Sequence, residues 1–257
     1  MSNSRNGGPI LRTALVAAAL SFAGMCQAQT SGSVNWNGWV FNYQVSGNDD
    51  GLSLTGVQFQ GLPLINKLSF PVMRVFYDGN VCGPYADRLG GTIYPIPWAN
   101  NATVARREFT LNGRQWYEIG IRDLIGSYDM YQVYYLSTDG ILDAHIFSKG
   151  LQCQVNHVHY PNWRIDFDIN GSSNDQIQRN TGSGFETKLI EFNASATEAF
   201  EHGWRVRDSA TGNFVDILPG FTDFTIPDNG TTVPATSYAN HFVFGRLFNS
   251  AEDTGWT

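Results

Sequence analysis

Apolar and polar residues alternate in short runs along the chain, and apolar residues almost nowhere recur at helical spacing. Alternation with period two marks a strand that buries one face. The runs Val34 to Val45 and Leu52 to Phe59 predict two early strands. Phe109 to Leu111 and Gln115 to Ile121 flank Asn112-Gly113, and Tyr131 to Leu136 and Ile141 to Phe147 flank Asp139-Gly140. Both dipeptides tolerate positive φ, so each pair of runs predicts a hairpin. His157 to Ile169 predicts one long strand, followed by strands at Lys188 to Phe192 and Trp204 to Val206. The Pro-, Thr- and Gly-rich stretch 220–236 predicts a loop. Many strands without a linker predict an all-β chain folded as one large β-sandwich.

Composition supports this reading. Aromatic residues make up 14% of the 257 residues and glycines number 27, which suits rings packed between sheets and tight turns. Charged residues make up only 15%, against about 25% in an average domain. The first 28 residues depart from the pattern. Arg5 and Arg12 precede the apolar run Ala14 to Met25, and Cys26-Gln27-Ala28 ends in a small residue. That order predicts an export signal cleaved after residue 28, leaving residues 29–257 as one secreted or periplasmic domain. The run is shorter than the ~20 residues that span a bilayer, and no second apolar run predicts a membrane anchor. Residues 29–257 then hold 14 basic against 23 acidic side chains, a net charge of −9. Such a balance argues against nucleic acid or anionic lipid as partner.

Several residues carry candidate chemistry. Cys82 and Cys153 would pair in an oxidising compartment, or remain as two buried thiols. In the segment His157-Val158-His159, residues two apart share one face of a strand, so two imidazoles project side by side. Imidazole binds Cu(II) and Zn(II) well, although two surface histidines would give the same pattern. Arg164, Asp166 and Asp168 form a polar register of the same strand. They read either as an Arg–Asp network or as oxygen ligands for a hard cation such as calcium. Neither a GxSxG elbow nor an HExxH motif occurs, which leaves a hydrolase with little support.

Taken together, these segments resemble the catalytic domain of copper amine oxidases. His157, His159, Arg164, Asp166, Asp168 and Gly171 match the family's HxH strand with RxDxD and a glycine turn. Gly51-Leu52-Ser53-Leu54 with Val57, Gly61 and Pro63 resembles its GLxLxxVxxxGxP segment. Pro84-Tyr85-Ala86-Asp87 resembles its PYxD, and Ile125-Gly126-Ser127-Tyr128-Asp129 resembles the strand bearing the tyrosine that becomes topaquinone. Phe244-Gly245 with Glu252-Asp253 resembles its closing segment. The resemblance implies a copper ion on His157 and His159, topaquinone from the catalytic Tyr128, and a small primary amine as substrate. It also implies a secondary cation, calcium, at Asp166 and Asp168.

The sequence departs from the family pattern at specific places. Leu124 and Ser127 stand where the quinone motif has Thr and Asn. Phe248 falls at the third copper histidine, with His241, His202 and His145 elsewhere in the chain. Ser237 falls at the distal acid of the secondary cation site, and the stretch carrying the base aspartate is missing. Two function classes therefore stand side by side. One is a copper-dependent oxidoreductase, acting on primary amines or through other copper chemistry. The other is a non-catalytic binding protein on the same scaffold.

Overall fold

The computed structural model describes residues 30–218 and 244–245, apart from 48–49, 78, 80, 99–101, 154, 156, 191, 195–197 and 199–201. The predicted signal segment, the 220–236 loop, Ser237, His241 and Phe248 lie outside the described residues. Chain order begins with β1 (Ser31–Trp36), β2 (Trp39–Ser46), β3 (Gly51–Phe59), β4 (Leu62–Tyr77) and β5 (Tyr85–Asp87). Next come β6 (Ile93–Tyr94), β7 (Ala105–Leu111), β8 (Arg114–Ile125), β9 (Tyr128–Ser137) and β10 (Leu142–Gly150). The chain then enters β11 (His157–Phe167), β12 (Asp175–Asn180), β13 (Phe185–Thr187), β14 (Phe192–Asn193), β15 (Trp204–Asp208), β16 (Phe214–Ile217) and β17 (Phe244–Gly245).

Two antiparallel sheets form the sandwich. The first runs β1-β2-β3-β4-β11, with β5 beside β4; the second runs β10-β9-β8-β6, with β7 also beside β8. A smaller sheet, β13-β12-β15-β16, follows, and β14 pairs with β17. The predicted all-β sandwich is therefore the observed architecture. Among the described residues no helix is long and apolar enough to cross a membrane.

One core fills the space between the two large sheets. Trp39, Phe41, Tyr43, Leu54 and Phe70 of the first sheet are buried with Ile119, Met130, Tyr134 and Leu136 of the second. Polar bridges also cross the interface. The Trp39 indole N–H donates to the Ser137 carbonyl at 2.7 Å. The fully buried Gln132 amide accepts from the Leu52 N–H and donates to the Leu52 carbonyl, both at 2.8 Å. A Cβ at Gly51, where φ is +60°, would collide with this amide, so the position requires glycine.

Both predicted hairpins are present, with Asn112 at φ 52°, Gly113 at 78° and Gly140 at 93°. The single strand expected over Val34 to Val45 is instead the β1–β2 hairpin. Asn37 and Gly38 adopt positive φ at its turn, the same chemistry as in the later hairpins. The strand expected at Lys188 to Phe192 is also absent as such. Leu189 and Ile190 are 86% and 79% exposed, and pairing begins only at Phe192. The long strand β4 has no clean alternation to announce it, because its centre is buried on both faces. Pro71, lacking an N–H, falls where the β4–β11 register slips between Ser69–Arg164 and Val72–Asn162.

Cys82 and Cys153 form a disulfide with Cα atoms 6.4 Å apart. It joins the segment after β4 to the segment before β11. A loop of this size gives ~4 kcal/mol of stabilisation in the chain-entropy account.

Candidate metal centre

Strands β4 and β11 place the centre on the core side of the first sheet. Tyr77 lies directly opposite His157 and Val75 opposite His159. Tyr77 and Val75 are buried in the core, so period-two alternation turns both histidines inward toward the second sheet. From that sheet Tyr128, the first residue of β9 and 4% exposed, reaches across the interface. Its Oη lies 2.8 Å from His157 Nε2. Its ring stands edge-on to His159, with centroids 5.0 Å apart, and the two imidazole centroids are also 5.0 Å apart.

The hydrogen bonds around this phenol have a fixed direction. His157 Nδ1 lies 3.0 Å from the Val155 carbonyl, which only accepts, so Nδ1 carries the proton. In the neutral ring Nε2 is then an acceptor, and the Tyr128 O–H donates to it. With that proton committed, Tyr77 donates its O–H to Tyr128 Oη at 3.2 Å, and the Gln152 N–H donates to the same oxygen at 3.3 Å. The Tyr77 ring also stacks on His157, with centroids 4.8 Å apart and planes 23° apart. Burial, and then the hydrogen bond to Tyr128, push the Tyr77 phenol well above its ordinary pKa.

His159 differs from its neighbour. Its Nε2 is buried and has no hydrogen-bond partner. Burial, reinforced by the charge of His157, lowers its pKa to about 4, so the ring is neutral at physiological pH. A buried nitrogen without a partner costs about 1–3 kcal/mol, which an electron-pair acceptor such as a metal would recover.

Copper fits these donors. His157 and His159 supply imidazole nitrogen and Tyr128 a phenol oxygen, a set suited to Cu(II). Among the described residues no cluster of three or more His, Cys, Asp or Glu side chains assembles. His145 lies on β10 and pairs with Asp143 at 2.9 Å, while His202 packs against Gly182 beside the smaller sheet. Asp129, next to the phenol in sequence, is engaged by Arg122 at 2.7 and 3.0 Å.

The proposed cation ligands lie near the other end of β11. Asp166 is seven residues beyond His159, about 23 Å along a strand. Its Oδ2 accepts from Asn66 Nδ2 at 2.7 Å. The Asp168 N–H donates to the Leu64 carbonyl at 3.0 Å, and its Oδ1 is buried without a partner. Asp168 lies near Asp175, whose pKa is raised by burial and further by Asp208 and Asp168. The structure thus brings Tyr128, His157 and His159 together and holds Asp166 and Asp168 apart from them.

Sequence reasoning missed Tyr77, Gln152 and Val155. Gln152 and Val155 act through their backbones, which leave no mark in sequence. Tyr77 is tied to His157 only by cross-strand register.

Comparison with known proteins bears on this geometry. No protein-family model matches the sequence, and no curated protein sequence matches it. Solved structures do match. PPLO, the lysyl oxidase of Pichia pastoris, superposes with a TM-score of 0.58 at 15% identity, over 73% of this chain and 38% of that one. A copper-containing benzylamine oxidase from Hansenula polymorpha superposes with a TM-score of 0.55 at 13% identity, over 74% of this chain and 45% of that one. The chain shares the fold of copper amine oxidases. It spans less than half the length of either amine oxidase.

Proposed function

We propose that the protein is an exported copper-binding protein whose centre is built from His157, His159 and Tyr128, with oxidoreductase chemistry on a small molecule such as a primary amine. The observation that carries the reading is the unpartnered, buried Nε2 of His159 beside a phenol that is hydrogen-bonded to His157. The disulfide and the shared fold with a copper-containing amine oxidase support it.

When bound, copper supplies the oxygen-dependent chemistry that converts a tyrosine to topaquinone, with Tyr128 as the precursor. The chain's own residues prepare that phenol. Tyr77 and the Gln152 N–H fix its oxygen, and His157 holds its proton. For His157 to ligate through Nε2, that proton must leave. The Val155 carbonyl keeps Nδ1 protonated, so Nε2 is the nitrogen offered. Tyr77 and Tyr128 are buried in the core, and the two histidines are partly buried beside them.

The test is aerobic loading of the protein with Cu(II). Stoichiometric uptake, a quinone absorption band and a matching mass gain on the Tyr128 peptide are expected. Uptake without the band or mass gain would leave a copper protein of other chemistry. Copper binding unaltered in both His157→Ala and His159→Ala would remove the metal centre and favour the non-catalytic binding protein.

A further inference from the structure

The two backbone groups that orient the centre both belong to the short segment before β11. Gln152 gives its N–H to Tyr128, and Val155 gives its carbonyl to His157. Between them sits Cys153, tied to Cys82 five residues beyond Tyr77. One covalent bond therefore spans the strand end carrying Tyr77 and the segment holding Tyr128 and His157. Cys153 has φ +64°, a left-handed conformation that non-glycine residues keep only when their surroundings impose it. Both cysteines are half-buried, packed at the rim of the core.

The geometry points to a redox latch: the Cys82–Cys153 disulfide holds the metal centre in its binding geometry, and a dithiol reductant opens it. The inference rests on the site proposed above. Two electrons and two protons pass from the dithiol, which closes into its own disulfide, to Cys82 and Cys153, which become two thiols. Cys153 is then free to leave its left-handed conformation. The flanking Gln152 N–H and Val155 carbonyl move with it, and His157 loses the partner that fixed its tautomer. Neither cysteine belongs to the β4–β11 ladder or to the fully buried core, against which both only pack, so the sandwich itself persists.

The test compares three forms of the full chain: the disulfide form, Cys82→Ser/Cys153→Ser, and wild type reduced with dithiothreitol and then freed of reductant without air. Circular dichroism reports the β-fold. Histidine-selective 15N NMR reports which His157 nitrogen is protonated. Equilibrium dialysis of the disulfide form and the double variant reports Cu(II) affinity. All three forms should keep their β-signal, while both opened forms lose the single Nδ1–H signature of His157. Reoxidation should restore that signature in wild type. The double variant should bind Cu(II) at least ~10-fold more weakly, the usual consequence of losing a partner behind a ligand. An unchanged His157 spectrum in a folded, opened protein would overturn the latch. So would loss of the β-signal on opening, because the bond would then hold the whole sandwich rather than the centre. If the disulfide form takes up no Cu(II), the copper reading falls, while the His157 spectrum still decides whether the latch exists.

Discussion

The hydroxyl of Tyr77 lies 3.2 Å from that of Tyr128, although the two residues belong to opposite sheets of the sandwich. Tyr77 thereby holds a phenol across the interface while its ring stacks on His157. Tyr77→Phe keeps the ring and deletes only the donor. Chemical denaturation should show a loss of about 1 kcal/mol, the usual worth of one hydrogen bond. Tyr77→Ala also deletes the stack and opens a cavity, and should cost about 3–5 kcal/mol, as other large aromatic truncations do. No loss in Tyr77→Phe would show that the hydroxyl contributes nothing, and equal losses in the two variants would show that the ring contributes nothing beyond it.

His159 presents a conflict between stability and binding. Its Nε2 is buried without a partner, and relieving that defect is worth about 1–3 kcal/mol. His159→Phe places an apolar ring of similar shape there. The metal-free variant should match or exceed the wild-type melting temperature, while dialysis shows loss of tight Cu(II) binding. A variant that is both less stable and still binds copper would contradict the assignment.

Gln132 should be among the costliest core substitutions. Its amide serves both backbone groups of Leu52 and also donates to the Tyr134 hydroxyl at 2.9 Å, joining β3 to β9. Gln132→Ala leaves the Leu52 N–H buried and unpaired. A loss of about 3 kcal/mol in urea unfolding is expected, since removing one partner of a buried network exposes the full desolvation penalty.

Asp123 should shape the pH dependence of stability. It is buried, and burial raises its pKa although the Gly90 and Leu124 N–H groups oppose the shift. The folded state therefore binds the proton more tightly than the unfolded chain does. Its contribution favours folding below the ordinary aspartate pKa and is lost as pH rises through the folded value. Stability profiles of wild type and Asp123→Asn, measured from pH 3 upward, should differ by a term that declines with rising pH above about 4. A difference that grows with pH instead would reverse the sign of the shift.

The Asn112-Gly113 and Asp139-Gly140 turns were readable because positive φ is a local demand that few residues meet. Asn37-Gly38 makes the same demand, and overlooking it merged β1 and β2 into one strand. The inward pairing of His157 and His159 was readable because strand alternation has period two. β4 was hidden because a strand buried on both faces carries no alternation.

Local chemistry, written in the order of residues, determined the all-β class, the hairpins, the paired imidazoles and the cysteines available to bond. Only the tertiary structure decided that Tyr128 meets His157, that Tyr77 and two backbone groups hold them, and that Asp166 and Asp168 stand apart. These contacts join residues up to 51 positions apart, across strands whose register is set by packing the whole core. Alternation tells a side chain which way to face. Which groups it faces depends on how two sheets slide over one another, and no short stretch of sequence encodes that.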